Sequence, residues 1–199
     1  MSKYDAALKK YLDIFGSQEM YFINDNRNLE VFAKNPSNNK EEDIRIKISA
    51  INDDMEIRQL PDINDMIAHI LKLNIDDRLQ RGDLSLVEDI ANISANGKAY
   101  HFLHFASVYC NFHRPDIYPI YSDQHFGFYR EYIKDNNLKL DPDKLDTYEV
   151  FSAALDDFIT RLGVKGKMNY LHIRKFGWLY FDHVVKESMG EEVEAKGRI

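Results

Sequence analysis

The chain has 199 residues, 44% of them apolar, and a formal charge of −7. It is long enough to bury a core and too acidic to hold nucleic acid chiefly by unspecific phosphate attraction. A single cysteine excludes an internal disulfide, no run of about 18 apolar residues offers a membrane span, and MSKYDAALKKYLDIFG lacks the apolar core of a secretion signal. A cytoplasmic protein with no membrane partner is expected.

The first helix is expected from Ser2 to Phe15, with Tyr4, Leu8, Tyr11, Leu12 and Phe15 on one face and Gly16 as its stop. A less regular segment through Tyr21 to Phe32 ends before Asn35-Pro36-Ser37-Asn38-Asn39, the clearest loop in the chain. In EEDIRIKISAIND, Ile44, Ile46 and Ile48 alternate as in a strand, while Ile44, Ile48 and Ile51 fit a helix. Glu41, Glu42 and Asp43 suit a helix N-terminus, and a helix is expected. Pro61 opens another helix with Ile63, Ile67, Ile70 and Leu71 inside, and Gly82-Asp83 starts a shorter one with Leu84, Val87, Ile90 and Ala91. Asn96-Gly97 reads as a turn before an aromatic helix that begins at Tyr100.

That helix runs through Phe102, Phe105, Ala106, Tyr109 and Phe112 to Arg114-Pro115, where a Pro-x-x-x-Pro turn leads to Ser122-Asp123. Ser122 or Asp123 can cap a following helix with Phe126, Tyr129 and Ile133. Asp146-Thr147-Tyr148-Glu149 offers a capping pair for a helix ending at Gly163. A last helix is expected from about Asn169 to Lys186, with a frayed charged tail beyond. Nearly every segment reads as helix, so the class is all-α.

The order of these helices, with AYHFLHFAS…YPIYSD at its end, resembles the helix-hairpin-helix DNA glycosylase superfamily, of which endonuclease III is a familiar member. It resembles more closely a bacterial group with an "ySFASKYCxFHxPxxYPIYD" signature, matched here by Phe105-Ala106-Ser107, Tyr109-Cys110, Phe112-His113, Pro115 and Tyr118-Pro119-Ile120-Tyr121. The resemblance covers somewhat under half the chain. It implies a two-lobed helical fold with a groove between the lobes. Residues 41–130 would form a central lobe, residues 1–40 with 131–189 a second, and 190–199 a flexible tail. It also implies a carboxylate after the Pro turn supporting attack at a flipped nucleotide's sugar, a role that falls to Asp123, with His104 as a neighbouring acid/base or phosphate ligand. The superfamily lysine position falls near His104, the signature lysine is Val108, and the signature Asp position is Ser122. No Gly-x-Gly hairpin precedes the helix; Asn96-Gly97-Lys98 is the nearest substitute, which makes Lys98 a phosphate candidate. With no matching lysine, an active enzyme would be a monofunctional glycosylase without a lyase step.

The residues also admit plainer roles. Asp123 suits a helix N-cap as well as catalysis. His113, Arg114, Tyr118 and Tyr121 suit either a stacking nucleotide pocket or a core. Lys165 and Lys167, with Arg174 and Lys175, form the most basic patch, either a phosphate site or a solvated surface. His101 and His104 on one helix face, and Cys110 with His113 on another, are too dispersed for one zinc ion. Trp178, Phe176, Tyr180 and Phe181 suit packing of the last helix. No cofactor or metal is implied. Two readings stand: a glycosylase-like protein engaging DNA or a nucleotide, and a non-enzymatic module for a protein partner on the same scaffold.

Overall fold

The computed structural model describes residues 23–54 and 62–180. The expected helix from Ser2 to Phe15, the opening at Pro61, and the end of the last helix at Lys186 with the tail beyond it lie outside them, as do the side chains of residues 23, 52–54 and 178–180. Helix α1 (Ile23–Lys34) sends Phe32 inward and closes where Asn35 returns its carboxamide to the Val31 carbonyl at 2.8 Å. Helix α2 (Glu41–Asp54) carries three acids in its first turn, where they meet the positive helix end. Ile44, Ile48 and Ile51 are fully buried while Ile46 is 41% exposed, the inside–outside pattern of a helix and not of a strand.

Helix α3 (Ile63–Leu73) starts at Asp62, whose carboxylate accepts from the Asn64 amide at 2.9 Å, and ends at Asn74 in the left-handed region. A short helix α4 (Asp76–Arg81) follows, stopped by Gly82 at φ 71°. Asp83 then accepts from the Ser85 amide at 3.0 Å and opens α5 (Ser85–Ala91). Gly82-Asp83 thus ends one helix and begins the next; α4 has no counterpart among the expected elements.

The turn at Asn96-Gly97 does not lead directly into a helix. Both residues have positive φ, 52° and 73°, and they join β1 (Asn92–Ala95) to β2 (Lys98–His101) in an antiparallel hairpin pairing Ile93 with Tyr100 and Ser94 with Ala99. Such backbone angles match the twist of a two-residue hairpin, so Tyr100 and His101 are strand residues. The fold is therefore helical with one small two-stranded sheet among the described residues. Helix α6 (Leu103–His113) follows, with nine of its eleven residues buried, which makes it the central helix.

Helices α7 (Phe126–Asp135), α8 (Tyr148–Arg161) and α9 (Tyr170–Tyr180) complete the order, with one 3-10 turn at Pro142–Lys144. Thr147 caps α8 by accepting from the Val150 amide, as its sequence position suggests. Two apolar cores result. The first joins α1 to α6 with Tyr118, Ile120, Tyr148 and Leu171; the second joins Tyr129, Ile133, Phe151, Phe158, Ile173 and Phe176 of α7, α8 and α9. Residues 23–34, expected in the second lobe, pack on the first core through Leu29 and Phe32. An ion pair between Asp25 and Lys175 ties α1 to α9. Tyr121 packs against both cores and marks the seam.

Candidate functional site

Pro115 forces Arg114 out of helical geometry, to φ −143° and ψ 78°, and so ends α6. The following loop is held by side chains from beneath. Asn111 donates to the Tyr118 carbonyl at 2.6 Å, and the Tyr148 hydroxyl donates to the Pro119 carbonyl at 2.8 Å. Ser107 accepts from the Tyr121 amide at 2.9 Å while donating to the His104 carbonyl at 2.8 Å. His104 Nδ1 lies 2.7 Å from the Tyr121 carbonyl; a carbonyl only accepts, so Nδ1 carries the proton. Four side chains thus fix the backbone that delivers Ser122 and Asp123.

The structure gathers His104, Tyr121, Ser122 and Asp123 at the seam between the cores. Burial pushes the Tyr121 phenol up to about 12, helped by the nearby charges of Asp123, Asp146 and Glu88. Glu88 is itself engaged, accepting from the Tyr148 amide at 2.7 Å and pairing with His101 Nε2 at 2.9 Å. Asp123 is exposed, and its side chain does not cap α7: the N-cap is His125, without a side-chain bond, and only the Asp123 backbone carbonyl receives Phe126 N–H, at 3.1 Å. The expected capping role of Ser122 or Asp123 is therefore corrected.

The remaining candidates lie elsewhere. Tyr118 is wholly buried, its hydroxyl directed at the Arg78 and Asp83 carbonyls, so it is core and cannot stack on a base. Arg114 donates to the Gln80 carbonyl at 3.0 Å and pairs with Asp116 at 3.4 Å. Lys165 pairs with Asp156 at 2.6 Å, and the Tyr170 hydroxyl binds the same carboxylate at 2.8 Å. Lys98, on the hairpin, and Lys167 are exposed. His101 is on a strand and His104 on a helix, so they do not share a helix face as expected. Among the described residues no three His, Cys, Asp or Glu side chains are grouped to hold a metal ion. Cys110 is buried, and burial raises its thiol pKa.

His113 belongs to a second polar cluster, on the side of α6 facing α1. Its ring lies against Phe32 and Tyr109, with centroids 4.9 and 5.3 Å away, and its Nε2 is 3.3 Å from Asn38 Nδ2. Burial, with the Lys47 charge, lowers its pKa to about 3, so it is neutral and accepts through Nε2. At the cluster's centre is Asn38, from the loop between α1 and α2. Its Oδ1 receives Lys47 Nζ at 2.6 Å and the Tyr109 hydroxyl at 2.5 Å, and its Nδ2 donates to Asp76 Oδ1 at 2.7 Å.

Lys47 is fully buried, donates also to the Ser37 carbonyl at 2.7 Å, and lies 5.9 and 5.7 Å from the Phe32 and Tyr109 ring centres. Burial lowers its pKa to about 8 against the opposing pull of Asp76 and Asp43. Burial works to raise Asp76, but bonds from the Asn38 amide, the Asn38 side chain and Ser37 outweigh it and hold the carboxyl below its ordinary value. Sequence reasoning missed Asn38, Lys47 and Asp76. One signal was present: Lys47 stands three residues after Ile44 and one before Ile48, inside the apolar stripe of α2.

Residues 7–117 match the model of a family described as the HI_0787 N-terminal domain. An uncharacterised protein of Haemophilus influenzae is 33% identical over 94 residues, a stretch that spans 45% of this chain and 46% of that protein. The chain thus matches about half the length of that relative. No solved structure matches. The family segment contains Asn38, Lys47, Asp76, Tyr109 and His113 and stops before Tyr121 and Asp123.

Proposed function

We propose, for a chain that belongs to the HI_0787 N-terminal domain family, a non-enzymatic role: it takes a basic segment of a protein partner at the seam around Tyr121. One observation carries this reading. Three carboxylates, Asp123, Asp146 and Glu88, act on the Tyr121 phenol from nearby, while two of the cations expected to meet phosphate, Arg114 and Lys165, pair with Asp116 and Asp156 and leave Lys98 and Lys167 exposed. An aromatic ring in a negative field suits lysine or arginine side chains and repels a phosphodiester backbone. The net charge of −7 acts in the same direction.

The test is fluorescence anisotropy of the full chain with a labelled Lys/Arg-rich peptide, and with DNA duplexes containing or lacking an abasic-site analogue, at low and moderate salt. The peptide is expected to bind, to weaken with salt, and to lose about fivefold in affinity with Asp123→Lys. A peptide that does not bind, or binds Asp123→Lys equally well, overturns the reading.

A glycosylase-like role is the second reading, and the bond from His104 to the backbone two residues before Asp123 favours it. The Tyr121 carbonyl fixes the His104 tautomer two residues before an exposed carboxylate of the kind that could stabilise an oxocarbenium-like sugar during attack by water. Preferential binding of the abasic analogue, with base release lost in Asp123→Asn, would replace the first reading with this one.

A further inference from the structure

The side chain of Asn38 makes every hydrogen bond a primary carboxamide can make. Its oxygen has two acceptor positions, filled by Lys47 Nζ and the Tyr109 hydroxyl; its nitrogen has two protons, directed to Asp76 Oδ1 and His113 Nε2. The orientation is dictated by chemistry: an ammonium only donates, so the oxygen must face Lys47, and an ionised carboxylate only accepts, so the nitrogen must face Asp76.

The four surrounding groups come from three different helices, α2, α4 and α6, whereas Asn38 comes from the short strap of residues 35–39. Of the strap residues only Asn38 is buried; Pro36 and Asn39 are exposed. Phe32 and Tyr109 lie beside the Lys47 amine, so the space that the Asn38 side chain fills has aromatic neighbours, two donors, Lys47 and Tyr109, and two acceptors, Asp76 and His113.

We propose that this recess is a binding site for a primary carboxamide, filled here in cis by Asn38, which acts as an internal surrogate that a free ligand displaces. The arrangement discriminates by charge and by proton count. A carboxylate would turn an anionic oxygen toward Asp76 and toward the accepting nitrogen of His113, and a dialkylamide would leave both acceptors unpaired. The matching chemistry occurs in small free carboxamides and in the side chains of glutamine and asparagine.

The probe is acetamide, applied to Asn38→Ala, with acetate and N,N-dimethylacetamide as controls. At about five times its dissociation constant acetamide is expected to raise the Tm of the variant by about 2–4 °C, saturably, with no rise from either control. The second measurement uses the wild-type chain and does not depend on the variant folding. Acetamide, but not acetate, should speed hydrogen exchange of the amides of residues 35 and 37–40, that of Asn38 most of all, as the strap leaves the recess. Glutamine and a glutamine-containing peptide run in parallel distinguish a free ligand from a peptide side chain by which binds tighter. Equal response to all three probes, no response, or strap exchange indifferent to acetamide would mean the recess serves only to tie down its own loop, and the proposal falls.

Discussion

Replacing Asn38 by alanine should cost more than any exposed loop substitution, and the cost can be built from its partners. The change strands the Tyr109 hydroxyl, a buried donor worth about 1–3 kcal/mol when unpaired. It also takes from Lys47 one of its two close acceptors, a charge-assisted bond worth about 1.5–3 kcal/mol. Asp76 loses the side-chain bond but keeps the Asn38 backbone N–H at 3.0 Å and the Ser37 hydroxyl at 3.2 Å, so little is added there. The sum is about 4 kcal/mol, and with a urea m-value of about 2 kcal/mol/M the midpoint should fall by about 2 M. Tyr109→Phe is the companion: it removes one donor while Asn38 Oδ1 keeps Lys47, and should cost only about 1 kcal/mol. Urea denaturation followed by tryptophan fluorescence measures both. If Asn38→Ala lies within about 1 kcal/mol of wild type, the side chain is not the keystone of this cluster and the reasoning fails.

Thr147→Ala removes the acceptor of the α8 N-cap and should cost about 1 kcal/mol in the same assay, whereas Thr147→Ser should be close to neutral. Gly82→Ala forces a side chain into the left-handed region at φ 71°, with the new Cβ 3.1 Å from the Ile117 side chain, and a loss of about 1–2 kcal/mol is expected. Lys47 has a folded pKa of about 8 against an ordinary 10.5, so both states hold its proton below about 8 and it adds no pH dependence there. Between about 8 and 10.5 the unfolded chain holds more protons, so this group makes stability rise with pH; comparing urea midpoints at pH 7.5 and 9.5 in wild type and Lys47→Met should show the rise diminished in the variant. His113, lowered from 6.5 to about 3, acts at the acid end: stability should fall as pH drops through that window, and less steeply in His113→Gln.

What the sequence determined by itself was local. The spacing of Ile44, Ile48 and Ile51 behind three acids was enough for a helix, because both the apolar period and the dipole act within a few turns. Thr147 was readable as a cap for the same reason: its acceptor reaches an amide three residues on. Pro115 ended α6 by steric contact with its immediate neighbour. Asn96-Gly97 was recognisable as a turn, but whether it closed a hairpin depended on Ile93 meeting Tyr100 across it.

Tertiary structure decided the rest. Tyr118 and Tyr121, three residues apart in one aromatic loop, differ only in what packs over them: the first lies inside the first core, the second on the seam between two. Of the cations that look available in the sequence, Lys165 and Lys175 meet carboxylates that the fold brings to them, Asp156 and Asp25, while Lys98 and Lys167 stay exposed. Asn38 meets Asp76, Tyr109 and His113 across 38, 71 and 75 residues, distances over which no periodicity or capping rule operates. A polar side chain in a loop and a lysine in an apolar stripe become one satisfied cluster only when three helices converge, because a buried charge or amide is tolerable only where its partners already stand.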